Sequence, residues 1–250
     1  MINSIRLRIL QRGAVVPDPR VATIPQRFRA LPLIGDAICA EGCKACVESC
    51  PTAAIQLDPV RIDLGRCVFC GVCEEVCPEH IISFTPDYRM GSDSREALVV
   101  THESSRIDPE RASVRIRSYF GKSLKLRQVS AGGCNGCEME LNALGNVNFD
   151  MGRYGIEFVA SPRHADGIVI TGPITRAMAA PLDLCLEAVP HPRIIILTGA
   201  CAISGGIFEH SPEIDRSILD RAHVDLYVPG CPPHPLTFIN ALLDWLDKRS

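Results

Sequence analysis

The chain has 250 residues, enough for two compact domains that each bury a core. Its net charge of −3 provides no electrostatic footprint for nucleic acid. Its 13 cysteines come with no signal peptide and no apolar run near the ~18 residues of a membrane span, which points to a reducing compartment where cysteines bind metals rather than cross-link.

In chain order, residues 1–35 form a basic arm, with Arg6, Arg8, Arg12, Arg20, Arg27 and Arg29 set against the single acid Asp18. Such a segment buries no core by itself. It is expected to drape over a neighbour, first of all another subunit. Its start, MINSIRLRIL, places Ile2, Ile5 and Ile9 on one side of a short amphipathic helix, so contact with anionic lipid through the arginines is the second reading.

Residues 36–104 carry two cysteine runs. Cys39, Cys43, Cys46 and Cys50 are followed by Pro51, and Cys67, Cys70, Cys73 and Cys77 by Pro78. Cys43, Cys46 and Cys50 recur as Cys70, Cys73 and Cys77 at an offset of 27 residues, and Ile55 recurs as Ile82, so the unit is duplicated. Each copy is expected to be a short strand, a cysteine loop, a short helix and a second strand. The spacing C-x2-C-x2-C-x3-C-P is that of bacterial two-cluster ferredoxins, in which the fourth cysteine ligates the other cluster. Carried over, Cys39, Cys43, Cys46 and Cys77 hold one 4Fe–4S cluster, and Cys67, Cys70, Cys73 and Cys50 hold a second. The first copy departs by one extra residue between Cys39 and Cys43, a looser turn for which Gly42 supplies the backbone freedom. Zinc is the competing occupant, because C-x2-C pairs also build tetrahedral sites. His80 is read as a surface or supporting residue, since the ligand set is complete without it.

A polar stretch, the strand ALVVTHE and an arginine-rich linker over residues 105–121 follow. Within residues 122–250, KLRQV, IEFVA, GIVIT, RIIIL and VDLYV are apolar, β-branched runs separated by helix-length segments. That alternation argues a doubly wound parallel sheet. Cys134 and Cys137 follow the first of these strands, Cys201 the fourth and Cys231 the fifth, at the edge where ligands gather in open α/β sheets. Three loops there can bring four thiolates around one site. Cys185, in the helical segment PLDLCLEAV, is read as a core residue. Pro235–Leu246 reads as a closing amphipathic helix. No dinucleotide fingerprint, Walker loop or Ser/His/Asp motif is present, so the chain moves electrons and carries no complete catalytic site.

These motifs carry a family resemblance. GGCNGCEME, ACAISGG and PGCPPHP resemble the small electron-transfer subunit of group 4 membrane-bound nickel–iron hydrogenases and its relative, the 20-kDa subunit of complex I. RFRALPLIG and LGRCVFCGVCEEVCP resemble the two-cluster ferredoxin subunit of formate hydrogenlyase. The chain looks like a fusion of the two, an α+β ferredoxin-like domain followed by an α/β domain with a flavodoxin-like sheet. The resemblance implies a third 4Fe–4S cluster on Cys134, Cys137, Cys201 and Cys231. Asn135 and Gly136 separate the first pair as in the hydrogenase branch, whereas the complex I branch has adjacent cysteines. It implies a nickel–iron large subunit, membrane subunits, and a donor that is a formate or carbon monoxide dehydrogenase or a ferredoxin. It also implies a peripheral place on the cytoplasmic face of the cell membrane. Glu140 is expected to face the large subunit and aid proton movement, or else to be a helix-start carboxylate. His234 stands where the family often has arginine, either coupling the cluster to pH or serving as a surface substitution. A relay to a quinone without nickel, and a non-catalytic metal-binding scaffold, are the alternatives.

Overall fold

The computed structural model describes residues 5–6, 9, 18–37, 39–103, 107 and 109–248. Each cysteine copy folds as strand, helix, strand. The first is β1 (Pro32–Ile34), α1 (Ala45–Glu48) and β2 (Ile55–Gln56), and the second is β3 (Arg61–Asp63), α2 (Val72–Val76) and β4 (Ile82–Phe84). The copies exchange partners, with β1 antiparallel to β4 and β2 antiparallel to β3. A fifth strand, β5 (Val99–Thr101), extends β3 on its other side. Inward apolar residues, among them Ile34, Ile55, Ile62 and Ile82, bury this small core around the cysteine loops. β1 lies inside the residues assigned above to the arm.

The second half begins with α3 (Val114–Phe120), whose first turn is capped by the Ser113 hydroxyl accepting from the Ile116 amide at 3.3 Å. Then come β6 (Leu124–Ser130), α4 (Gly136–Ala143), β7 (Ile156–Phe158), β8 (Gly167–Thr171) and α5 (Arg176–Ala188). The chain closes with β9 (Ile194–Thr198), α6 (Ala200–Ser204), α7 (Ser217–Arg221), β10 (Leu226–Val228) and α8 (Pro235–Trp245). The strands form one parallel sheet in the order β7-β6-β8-β9-β10. All five expected strands are present. β8 and β9 are buried along their whole length, as unbroken apolar runs in a covered parallel sheet must be.

The two faces of the sheet have different cover. Leu126, Val169, Ile196 and Val228 pack with Phe238, Ile239 and Leu242 of α8. Ile168, Ile170 and Leu197 belong instead to one buried cluster with Leu182 of α5 and with Ile62, Leu64 and Leu98 of the first half. The outer edge of β10 is paired by the first half: the Ser92 and Tyr227 amides and carbonyls bond reciprocally at 3.0 and 2.7 Å. The cysteine-bearing halves are therefore joined by core and by backbone.

Two expectations change. The closing helix is buried on nearly every side rather than amphipathic. Part of the reason is the arm, whose described residues near Pro19 and Arg20 pack on this chain itself. The Pro19 carbonyl accepts from Tyr88 Oη at 2.8 Å and from Asn240 Nδ2 at 3.0 Å, and Arg20 pairs with Asp244 at 3.5 Å. Ile5, Arg6 and Ile9 are helical and exposed, while Ile2, Arg8 and Arg12 lie outside the described residues.

Candidate metal centres

The duplicated half gathers its cysteines crosswise. Cys46 rides on α1 and Cys77 ends α2. Burial pushes the Cys46 thiol up, and the neighbouring Cys39 and Cys77 thiolates push it further. Cys39 is raised likewise by burial and then by Cys77 and Cys43. In the other group, burial drives Cys67 up to about 12, opposed by the Phe69 amide and reinforced by Cys73, Cys50 and Cys70. Cys73 is pushed up to about 11 by burial, then by Cys70 and Cys50. Cys77 thus sits with Cys39, Cys43 and Cys46, and Cys50 with Cys67, Cys70 and Cys73. The crossing follows from the packing of α1 against α2 and the exchanged strands.

Backbone amides aim at these sulfurs. Ala54 donates to Cys50 Sγ and Ile81 to Cys77 Sγ, each at 3.3 Å, so the duplication repeats the bond at the same offset. Phe69 donates to Cys67 Sγ, also at 3.3 Å. Gly42 has φ +71 in the longer Cys39–Cys43 loop, the left-handed turn that the extra residue requires.

The third group lies at the carboxyl edge of the sheet. Cys134 and Cys137 follow β6, with Cys137 in the first turn of α4. Cys201 lies on α6 after β9, and Cys231 directly after β10. Burial pushes Cys137 up to about 12, followed by Glu138, Cys201, Cys231 and Cys134. Cys201 reaches about 11 through burial, Cys231 and Cys134, with Arg216 pulling the other way. Close backbone approach is built in: Gly199 has φ +91, and a Cβ there would stand 2.6 Å from Cys137 Sγ.

All 13 cysteines are free thiols. Among the described residues, no three His, Cys, Asp or Glu side chains close round a single metal ion. The cysteines meet instead as three groups of four neighbours. Buried thiols that repel one another as thiolates are stabilised as ligands when a cationic core sits among them. The soft donor set, the amides on sulfur and the glycine gap all fit iron–sulfur clusters.

Around the cysteines lie the other residues singled out in the sequence, together with two, Glu138 and Arg216, to which no motif assigned a role. Glu138 is 6% exposed and accepts from Thr171 Oγ1 at 2.6 Å. His234 is half-buried and neither free nor superficial. Its Nδ1 accepts from the Leu236 amide at 3.1 Å, capping α8, and its ring meets Phe28 and Phe149 edge-on; burial lowers its pKa. Glu140, its pKa raised by burial, lines a cavity of about 330 Å³ together with Phe28, Arg29, Phe69, Cys231 and His234. His80 is exposed, and Cys185 is half-buried against the core, beside Arg127. Arg216, from the unremarkable stretch EIDRS, donates to the carbonyls of Cys201, Ala202 and Ile203 at 2.8–3.1 Å.

Residues 38–81 match the 4Fe-4S dicluster domain. Residues 134–245 match the family described as NADH ubiquinone oxidoreductase, 20 Kd subunit. The probable membrane-bound hydrogenase subunit mbhJ of Pyrococcus furiosus is 37% identical over 150 residues, which is 60% of this chain and 89% of that protein. Formate hydrogenlyase subunit 7 of Escherichia coli is 45% identical over 114 residues, 46% of this chain and 45% of that protein. An NADH-quinone oxidoreductase subunit of Citrifermentans bemidjiense is 40% identical over 112 residues, 45% of this chain and 65% of that protein. With nearly the whole length of the Pyrococcus subunit matched, this chain belongs to the NADH ubiquinone oxidoreductase 20 Kd subunit family, joined in one polypeptide to a 4Fe-4S dicluster domain.

Proposed function

We propose that the chain is the electron-relay subunit of a membrane-associated hydrogenase complex of the nickel–iron type, holding three 4Fe–4S clusters. The ligand sets are Cys39, Cys43, Cys46 and Cys77; Cys67, Cys70, Cys73 and Cys50; and Cys134, Cys137, Cys201 and Cys231. Bound there, each cluster supplies a site that takes up and releases one electron. The protein provides burial, amide donors to sulfur and fixed spacing, which set the potentials.

The observation that carries this reading is the continuity of the second and third groups. Val68 and Phe69 of the Cys67–Cys70 loop and Cys231 line the same cavity, and Gly65 packs against Ile203 of α6. The order of transfer is then first group, second group, third group, or the reverse. Holding the sites in one polypeptide removes a docking step between them. The order β7-β6-β8-β9-β10 is 2-1-3-4-5 in chain terms, which supports a flavodoxin-like sheet and a site at its carboxyl edge.

Beside the third group, Met139, Ile207 and Phe208 are exposed apolar side chains, a face suited to the large subunit that carries the nickel–iron centre. No described helix is long and apolar enough to cross a membrane; in this proposal, partner subunits attach the chain to the cytoplasmic face. The open C-x-x-C of Cys134 and Cys137 favours the hydrogenase branch over the quinone-reducing one.

The test is metal analysis of the complex purified without oxygen. Nickel near one per complex, with iron above the roughly twelve atoms of three four-iron clusters, is the expected result. Iron without nickel would transfer the chain to a quinone-type relay, and zinc in place of iron would end the relay reading.

A further inference from the structure

We propose that Arg66, Glu209 and Arg216 form a charge bridge that sets the potentials of the second and third sites relative to each other. The inference rests on reading those two groups as cluster sites.

Arg66 immediately precedes Cys67, and its guanidinium is hydrogen-bonded to Glu209 Oε1, on the loop that follows α6. The helix just before that loop, α6, is pressed against the first half, since a Cβ on Gly65 would meet Ile203 Cγ2 at 2.7 Å. On the other side, Arg216 Nη1 donates to the Cys201 carbonyl at 3.1 Å, and Nη2 donates to those of Ala202 and Ile203 at 2.8 Å each. Nη1 also reaches the Pro173 carbonyl at 3.4 Å. One cation therefore stands beside the second group and one beside the third, with the Glu209 carboxylate between them and the mutually neutralising Arg95–Asp63 ion pair at the same junction.

The electrostatics agree with this layout. Glu209, then Asp63 and Cys50, hold the Arg66 pKa up against burial. Burial lowers Arg216, while Glu209 and Cys201 support its charge. Both guanidiniums stay protonated at any working pH.

Moving one electron from the second site to the third takes one negative charge from the first of these and adds it to the other. No bond forms and no proton moves. Arg66 favours the electron on the second site, Arg216 favours it on the third, and Glu209 opposes it on both. Nearby charges act strongly here because the surroundings are only partly solvated.

The experiment is a redox titration of the complex containing the full chain, followed by electron paramagnetic resonance, with iron content measured on each sample. Arg216→Gln should lower the third midpoint and leave the second nearly fixed. Arg66→Gln should lower the second. Each change should shift the equilibrium constant of the hop roughly tenfold, equivalent to about 59 mV for one electron. Glu209→Gln should raise both midpoints. Arg216→Lys, which keeps the charge but not the forked grip on the carbonyls, should retain most of the third midpoint. A merely structural Arg216 predicts that lysine behaves like glutamine.

Unchanged midpoints in fully loaded Arg216→Gln and Glu209→Gln proteins would overturn the proposal, as would a fall in Glu209→Gln. If Arg216→Gln does not retain its iron, the opposite signs expected for Glu209→Gln and Arg66→Gln decide. A wild-type complex without iron or resonance signals would instead remove the cluster reading itself.

Discussion

Gly91 is where the joining of the two halves is most exposed to test. It is buried beside Ser92, the residue that pairs with the edge of β10, and a Cβ there would overlap the Cβ of Ala241 on α8. Its backbone lies outside the left-handed region, so alanine is sterically allowed there apart from that overlap. Carbon atoms prefer about 3.5–4.0 Å, and relieving the overlap means moving either the Met90–Ser92 segment or α8. Overpacking of this kind costs about 1–3 kcal/mol. Ala241→Gly alone should cost about 2 kcal/mol, the sum of a helix glycine near 1 and a lost buried methyl near 0.8. Together the substitutions should be far better than additive. The methyl on residue 91 enters the space vacated on α8, giving a coupling of about 1–3 kcal/mol. Urea unfolding of the four proteins under anaerobic conditions, followed by circular dichroism, measures the cycle. If Gly91→Ala costs less than about 0.5 kcal/mol, or costs the same with glycine at 241, the packing argument is wrong.

Three other outcomes are expected. Thr171→Val keeps the shape but removes the donor to buried Glu138, and should cost about 1.5–3 kcal/mol in the same unfolding assay. Tyr88→Phe removes the hydroxyl that reaches the Pro19 and Ala22 carbonyls; a loss of about 0.5–1.5 kcal/mol should appear as faster limited proteolysis near residues 20–27, and an unchanged digest would refute this anchoring of the arm. After iron is removed, alkylation at pH 8 read by mass spectrometry should label exposed Cys70 and Cys134 first. Cys67 and Cys137, both pushed up to about 12 by burial, should react last and speed up as pH rises; a reversed order would contradict the described burial.

The sequence by itself determined the features that are local or periodic. The duplicated cysteine runs specified two strand–helix–strand copies, because loop spacing and the Cys-Pro ending act within a few residues. The apolar runs determined a parallel sheet, and their order along the chain placed Cys134, Cys137, Cys201 and Cys231 beyond strand ends. Tertiary structure alone decided what depends on residues far apart in the chain. Arg66 meets Glu209 across 143 residues and Asn240 meets Pro19 across 221, and no periodicity encodes such a pairing. The burial of α8 was illegible for the same reason. Its outer face is polar enough to read as solvent-facing, but Asn240 Nδ2 finds partners in the arm's backbone and in its own helix, which offsets part of the cost of burying that amide. Arg216 carries no motif, since what gives it a role is the turn of α6 that brings three carbonyls within reach of one guanidinium.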